Sequence, residues 1–247
     1  MSLKFDSFKK IRKTKTKWKV DSWEEYDQRE DAFLKERLLS KEPTITGQVR
    51  ITGGKAKNTL ISIPRTTRPL TDRMKVRIFD LLKEDIAKKT VLDLYAGAGS
   101  FGLEALSRGA KEATFVEAAR QADSVIKKNV AQAGFLPEAN IIKSKVEDYL
   151  FKQQSDKNTF QIIFMDPPYK LYNKKRTYKM EEVINMASEL LPGIKTPNKK
   201  TFKGVLIIKH PRRYPLETLA LPKLKLVETY DFGLNSISFL IVKKQIV

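Results

Sequence analysis

From Val91 onward the chain alternates short apolar runs with helical patterns, and this alternation limits the possible folds more than any other feature. The apolar runs cover 91–94, 113–116, 141–142, 160–165 and 205–208. Helical patterns fill the gaps at 100–108, 119–133, 146–153 and 180–191, with stops at Gly109, Gly134 and Pro192-Gly193. Strands joined through helices run parallel in one sheet. The last segments, 226–232 and 236–243, alternate polar and apolar residues as a hairpin, with Ile237, Phe239 and Ile241 on one side. The expected fold is therefore α/β: a mostly parallel sheet with one antiparallel strand and helices on both faces.

Upstream the pattern differs. Val49 and Ile51 alternate with polar residues, Gly53-Gly54 marks a turn, and Leu60, Ile61 and Ile63 follow. This predicts a β-hairpin bearing Arg50, Lys55, Lys57 and Arg65. Thr71-Asp72 can cap a helix over 73–87 that buries Met74, Ile78, Leu81, Leu82 and Ile86. Ser22-Trp23-Glu24-Glu25 fits a capping box for a helix at 22–39, and residues 1–20 read as a basic arm anchored by residues such as Trp18. Three parts are expected: a basic arm with a helical extension over 1–46, a hairpin over 47–66, and a main domain over 67–247.

Composition narrows the chemistry. The chain has no Cys, which removes thiolate catalysis and cysteine-zinc sites. Its single His, His210, makes histidine-rich metal sites and Ser-His-Asp hydrolysis poor readings and suggests a structural or phosphate-contacting residue. No run approaches the roughly 18 apolar residues of a membrane helix, and the lysine-rich start lacks the apolar core of a secretory signal. Lys and Arg number 48 against 29 acidic residues, a net charge of +19. Such an excess favours a polyanionic partner, because each neutralised phosphate releases condensed counterions. A nucleic acid is expected, with residues 170–179 and the Lys199–Arg213 region as further basic clusters.

The first strand runs into Asp93-Leu94-Tyr95-Ala96-Gly97-Ala98-Gly99-Ser100-Phe101-Gly102. Ligands of open α/β sheets bind beyond the carboxyl ends of the strands, so this loop is the expected ligand site. The string also fits G-x-G-x-x-G, so a nicotinamide reading competes. Against it, Asp93 would repel a pyrophosphate but suits the sulfonium and ammonium of S-adenosylmethionine. Glu117, twenty residues after Gly97, would serve the ribose of either ligand and does not discriminate.

Residues 160–165 lead into Asp166-Pro167-Pro168-Tyr169. The prolines restrict φ and lack N–H groups, so the loop is stiff with outward carbonyls. An exocyclic base amine is a poor nucleophile because its lone pair is delocalised. Asp166 and the Pro167 carbonyl can each accept one of its N–H bonds and turn the lone pair toward a methyl donor. Tyr169 can stack on the base, worth roughly 1–3 kcal/mol. A paired base must first leave its helix.

With both motifs in place, the chain resembles the bacterial 16S rRNA guanine-N2-methyltransferase family over about residues 47–243. The strings Gly47-Gln48-Val49-Arg50, Thr67-Arg68-Pro69-Leu70-Thr71-Asp72-Arg73, the Asp93 loop with Leu103–Gly109, and the Asp166 tetrad are similar to that family's motifs. The resemblance implies a Rossmann-like class I methyltransferase sheet and transfer from S-adenosylmethionine to guanine N2 in small-subunit rRNA or an assembling subunit. It assigns Asp93, Tyr95, Ala96, Gly97, Gly99, Glu117, Val146 and Asp166 to the cofactor, and Asp166, Pro167 and Tyr169 to catalysis. Arg50, Lys55, Lys57, Arg68, Arg73 and Lys170 would meet RNA. A cytoplasmic, metal-independent monomer is expected. The family's Arg-Glu pair after Asp72-Arg73 is replaced by Lys75-Val76, Lys145 stands near the expected adenine contact, and the fifth strand ends in Lys209-His210 rather than an acid. A DNA amino-methyltransferase acting on adenine N6 or cytosine N4 is the competing reading, and an inactive RNA-binding assembly factor a further one.

Overall fold

A computed structural model describes residues 45–65, 67, 69–156, 159–172, 177–192, 204–214 and 216–243. The basic arm, the helix expected at 22–39 and Arg68 lie outside the described residues. Strands β1 (Ile45–Arg50) and β2 (Leu60–Pro64) form the expected hairpin, with Val49 opposite Ile61. Helix α1 (Asp72–Leu82) starts at Thr71, whose hydroxyl accepts the Met74 N–H at 3.3 Å. It is shorter than the predicted 73–87 because Lys83 takes a positive φ of 43° and a 3₁₀ turn carries the chain to Ile86.

The alternation seen in sequence becomes β3 (Thr90–Leu94), α2 (Ser100–Ser107), β4 (Glu112–Glu117), α3 (Arg120–Ala133), β5 (Ala139–Lys143), α4 (Val146–Asp156), β6 (Ile162–Met165), α5 (Thr177–Glu189) and β7 (Val205–Pro211). A final hairpin adds β8 (Leu224–Phe232) and β9 (Asn235–Val242). The seven strands lie in the order β5-β4-β3-β6-β7-β9-β8, and β9 alone runs against the others. The hairpin alternation predicted a one-sided β9. Instead Ser238 and Leu240 are as buried as Ile237, because β9 lies between β7 and β8 with both faces covered.

Each face of the sheet carries its own apolar layer. One joins Ile78 and Phe79 of α1, Phe101 of α2 and Ile126 of α3 to Phe115 and Phe164; the Phe101 and Phe164 rings stack at 4.3 Å. The other joins Leu150 of α4 and Met180 and Ile184 of α5 to Leu92, Ile163 and Leu206. Each large side chain so buried contributes about 1.5–3 kcal/mol. Among the described residues no helix is long and apolar enough to cross a membrane.

Two buried polar nodes fasten the hairpin to this body. Glu104 of α2, fully buried, accepts the Thr52 N–H at 2.8 Å, the Thr52 hydroxyl at 2.6 Å and Arg108 Nε at 2.9 Å. Lys75 of α1, equally buried, donates to the Arg50 carbonyl and lies 3.2 Å from Asp72 and 4.0 Å from Glu104. Glu104 thus faces Lys75 as a buried carboxylate. Asn129 of α3 accepts the Ser62 N–H at 2.8 Å and donates to the Ser62 and Ala98 carbonyls at 2.9 Å each. A single side chain therefore links β2 to the glycine loop.

Candidate active site and cofactor loop

The carboxyl ends of β3, β4 and β6 bring the sequence-predicted residues to one sheet edge. After β3 the chain reverses through Tyr95 (φ 58°), Gly97 (φ 59°) and Gly99 (φ 75°). Glycine holds both later positions at no steric cost, and a Cβ on Gly97 would lie 3.2 Å from the Thr67 methyl. Gly102 lets α2 settle on β4, since a Cβ there would fall 2.3 Å from the Phe115 ring.

Asp93 is 1% exposed, and its Oδ2 accepts the Gly102 N–H at 3.0 Å. Burial pushes this carboxyl well above the usual range; the Gly102 bond opposes the shift, and the Asp166 and Glu117 charges add to it. Glu117 accepts the Gly97 N–H at 2.9 Å and the Ala119 N–H at 2.8 Å. Burial also raises its carboxyl, against those backbone bonds. An apolar seat holding a desolvated carboxylate favours a cationic ligand, because a positive charge there relieves the desolvation. Two carboxylates at the ends of neighbouring strands, Asp93 of β3 and Glu117 of β4, suit the ammonium and ribose of S-adenosylmethionine. Tyr95 and Ala96 sit in the same turn, and Val146, at the start of α4, is buried at its far side. The Tyr95 hydroxyl donates to Glu147 at 3.4 Å, and burial raises its phenol.

Asp166 follows β6, which pairs with β3 so that Met165 lies opposite Leu94. Pro167 is buried, while Pro168 and Tyr169 are exposed at the start of a 3₁₀ turn closed by the Leu171 N–H on the Pro168 carbonyl at 2.9 Å. The Tyr169 hydroxyl donates to Asn235 at the start of β9. This fixes the ring's outer end and leaves the side chain 45% exposed.

Sequence reasoning did not assign a role to Lys209. Its Nζ donates to both Asp166 oxygens, at 2.7 and 2.9 Å, from a side chain only 7% exposed. The signal was present in the sequence as a cation directly after the apolar run 205–208. The Tyr172 hydroxyl donates to the Lys209 carbonyl at 2.6 Å and holds that backbone in place. His210 is structural. Its Nδ1 faces the Pro211 carbonyl at 2.9 Å, which can only accept, so Nδ1 carries the proton and Nε2 takes the Ser238 hydroxyl at 2.8 Å. Burial lowers its pKa and keeps it neutral.

The residues expected to meet RNA are not all brought to this edge: the Lys55 N–H bonds the Ser107 carbonyl at the end of α2, toward the amino ends of the strands. Arg50 is exposed and pairs with Asp72 at 2.8 Å. Lys55 is exposed, 4.9 Å from the Phe135 ring centre and 3.7 Å from Glu138. Lys57, Arg73 and Lys170 are exposed.

The profile of the family described as Conserved hypothetical protein 95 matches residues 49–215. The Ribosomal RNA small subunit methyltransferase D of Escherichia coli K12 is 34% identical over 148 residues, 58% of this chain and 69% of that protein. The protein of the same name from Haemophilus influenzae is 35% identical over 130 residues, 51% of this chain and 67% of its own length. A solved structure, "Putative methyltransferase yhhF from Escherichia coli", superposes with a TM-score of 0.64 at 26% identity, covering 81% of this chain and 100% of that one. The match starts in the hairpin, takes in the Asp93 loop and the Asp166 tetrad and runs past Lys209, so on this site and this fold together the chain belongs to the Conserved hypothetical protein 95 family.

Proposed function

We propose that the protein transfers a methyl group from S-adenosylmethionine to the exocyclic N2 amine of a guanine in small-subunit rRNA. One observation carries the reading: the Asp166-Pro167-Pro168-Tyr169 tetrad and the desolvated Asp93 lie at the ends of paired neighbouring strands, β6 and β3. Relatives named as small-subunit rRNA methyltransferases support the substrate class.

Asp93 holds the ammonium end of the donor and Glu117 its ribose, with the loop Tyr95–Gly99 and Val146 lining the seat. When bound, the donor supplies an activated methyl on a sulfonium. The chain's own residues then orient the acceptor. Asp166 and the Pro167 carbonyl accept the two amine N–H bonds, which localises the nitrogen lone pair. Tyr169, pinned at its hydroxyl by Asn235, presents its ring to the base. Lys209 holds the Asp166 carboxylate in one orientation while leaving lone pairs for the amine. The N–C bond forms as the S–C bond breaks, S-adenosylhomocysteine leaves as a neutral thioether and the surplus amine proton passes to solvent, so positioning supplies a large part of the rate. The hairpin over 47–66 offers Arg50, Lys55 and Lys57 to RNA phosphates, and the lysine-rich sequence 1–20 brings further positive charge for the same partner.

The test is to incubate the full chain with labelled methyl donor and, separately, 16S rRNA, assembling subunits and DNA, then identify the labelled nucleoside. N2-methylguanosine in small-subunit RNA is expected. Label in DNA adenine N6 or cytosine N4, or no label in any substrate despite donor binding, refutes the reading.

A further inference from the structure

A second recognition surface lies beside the tetrad and belongs to none of the site residues read from the sequence except Arg73. Helix α1 presents Arg73, Val76, Arg77 and Asp80 outward at helical spacing, all exposed. Across from this stripe stand Tyr230 and Phe232 on the same side of β8, which is the outermost strand of the sheet. Between them runs a groove of about 530 Å³.

The two walls match. The Arg77 guanidinium lies 4.1 Å from the Tyr230 ring centre, and that of Arg73 lies 5.9 Å from Phe232. Four helical residues advance about 6 Å, and two strand residues about 6.6 Å, so the two cation–ring layers sit in register. Two of the groove's carboxylates are already matched. Asp72 pairs with Arg50 and Lys75, and Asp231 pairs with Arg212 at 2.8 Å and accepts the Ser236 hydroxyl at 2.6 Å. Arg73 and Arg77 then face Asp80 and Glu228, the latter already taking the Tyr230 hydroxyl.

The groove also adjoins the site. Phe232 pairs with Asn235 across the hairpin turn, and Asn235 receives the Tyr169 hydroxyl. A strand whose base is held at Asp166 would pass over this turn.

We infer that this groove holds a nucleotide of the same RNA strand as the target, its base stacked on the Arg77–Tyr230 layer and its phosphate on Arg73. This rests on the proposed methyl transfer to RNA and adds a second subsite to it. Alternating guanidinium and ring layers suit a base, which has a π-face on either side and a phosphate attached. A protein helix would need an aliphatic floor, and Val76 alone supplies that.

Two measurements separate this inference from the reading it extends. Binding of a fluorescein-labelled single-stranded RNA of mixed sequence is measured for wild type, Arg77→Ala and Tyr230→Leu, together with their melting temperatures. The dissociation constant should rise roughly ten-fold in each, with a shallower salt dependence for Arg77→Ala and unchanged affinity for the methyl donor. Wild-type affinity for RNA in both variants overturns the inference. Normal binding of naked RNA with impaired methylation of assembled subunits also overturns it, and assigns the groove to a protein of the particle. If one variant melts early, the other carries the result. Failure of the wild type to methylate any RNA counts against the proposed reaction, whereas the binding comparison still decides the groove.

Discussion

Replacing Glu104 by Gln keeps the size of a fully buried side chain and removes its charge. In the native chain that carboxylate takes three hydrogen bonds, from Thr52 twice and from Arg108, and faces the buried ammonium of Lys75 at 4.0 Å. After the change Lys75 retains Asp72, which is 40% exposed, and the Arg50 carbonyl. An amide can also accept through one atom only, so its NH₂ group is set against the donors of Thr52 or Arg108. Removing one partner of a buried charge cluster costs about 3–5 kcal/mol. A domain of this size loses about 2–4 °C per kcal/mol, so the melting temperature should fall by roughly 6–20 °C. Circular dichroism melts and urea titrations of wild type, Glu104→Gln, Lys75→Met and the double variant measure the effect. The double variant should recover part of the loss, because the charge stranded by the first change is gone, giving a coupling of roughly 0.5–3 kcal/mol. A Glu104→Gln melt within about 2 °C of wild type, or strictly additive losses, would refute the network as the fastening of the hairpin.

Asp93 should show the opposite balance. Its carboxyl is raised in the folded state, so the native protein binds more protons than the unfolded chain, and this group's contribution to stability declines as pH rises from about 4 toward its folded pKa. Donor-free Asp93→Asn should therefore melt higher than wild type at pH 7, with a gap that closes near pH 4, while its affinity for S-adenosylmethionine drops. A gap that does not vary with pH contradicts this. Lys209→Met should lower the rate of transfer by roughly 100-fold through a misplaced Asp166, with Lys209→Arg recovering part of it. Donor affinity measured by calorimetry should stay within a few-fold, and an equal loss of both would make Lys209 part of the donor seat. Asn129→Ala strands a buried N–H and two carbonyls, at about 1–3 kcal/mol per unsatisfied group. Amide exchange in β2 should accelerate before that of β3 and β6, and uniform acceleration would argue against a local link.

Much of the molecule was legible from its sequence because local signals agreed with the global pattern. Apolar runs and glycine stops placed α2, α3 and β3–β7, and the Thr71 cap the start of α1, to within a few residues of where they fold. That the Asp93 loop and the Asp166 tetrad follow strands was readable because each motif directly succeeds an apolar run. Contacts between distant elements were not legible. Lys209 and Asp166 are 43 residues apart and meet through the order of β6 and β7, while Glu104 and Thr52, 52 apart, meet only where the hairpin docks on α2. The two-sided burial of β9 was hidden for the same reason, since alternation in a hairpin does not reveal whether the strand ends at an edge or is inserted.

That insertion bears on how the protein is made. Because β9 follows β8 in the chain yet sits inward of it, the flank of β7 stays unpaired until both strands of that hairpin have been made. A nascent chain can assemble β3, β4, β5 and β6 early, but it carries an open sheet margin able to pair with other polypeptides. Asn235, which anchors Tyr169, emerges only with that closing strand. Closure of the β7 margin and fixing of the Tyr169 hydroxyl are thereby tied to the same strand.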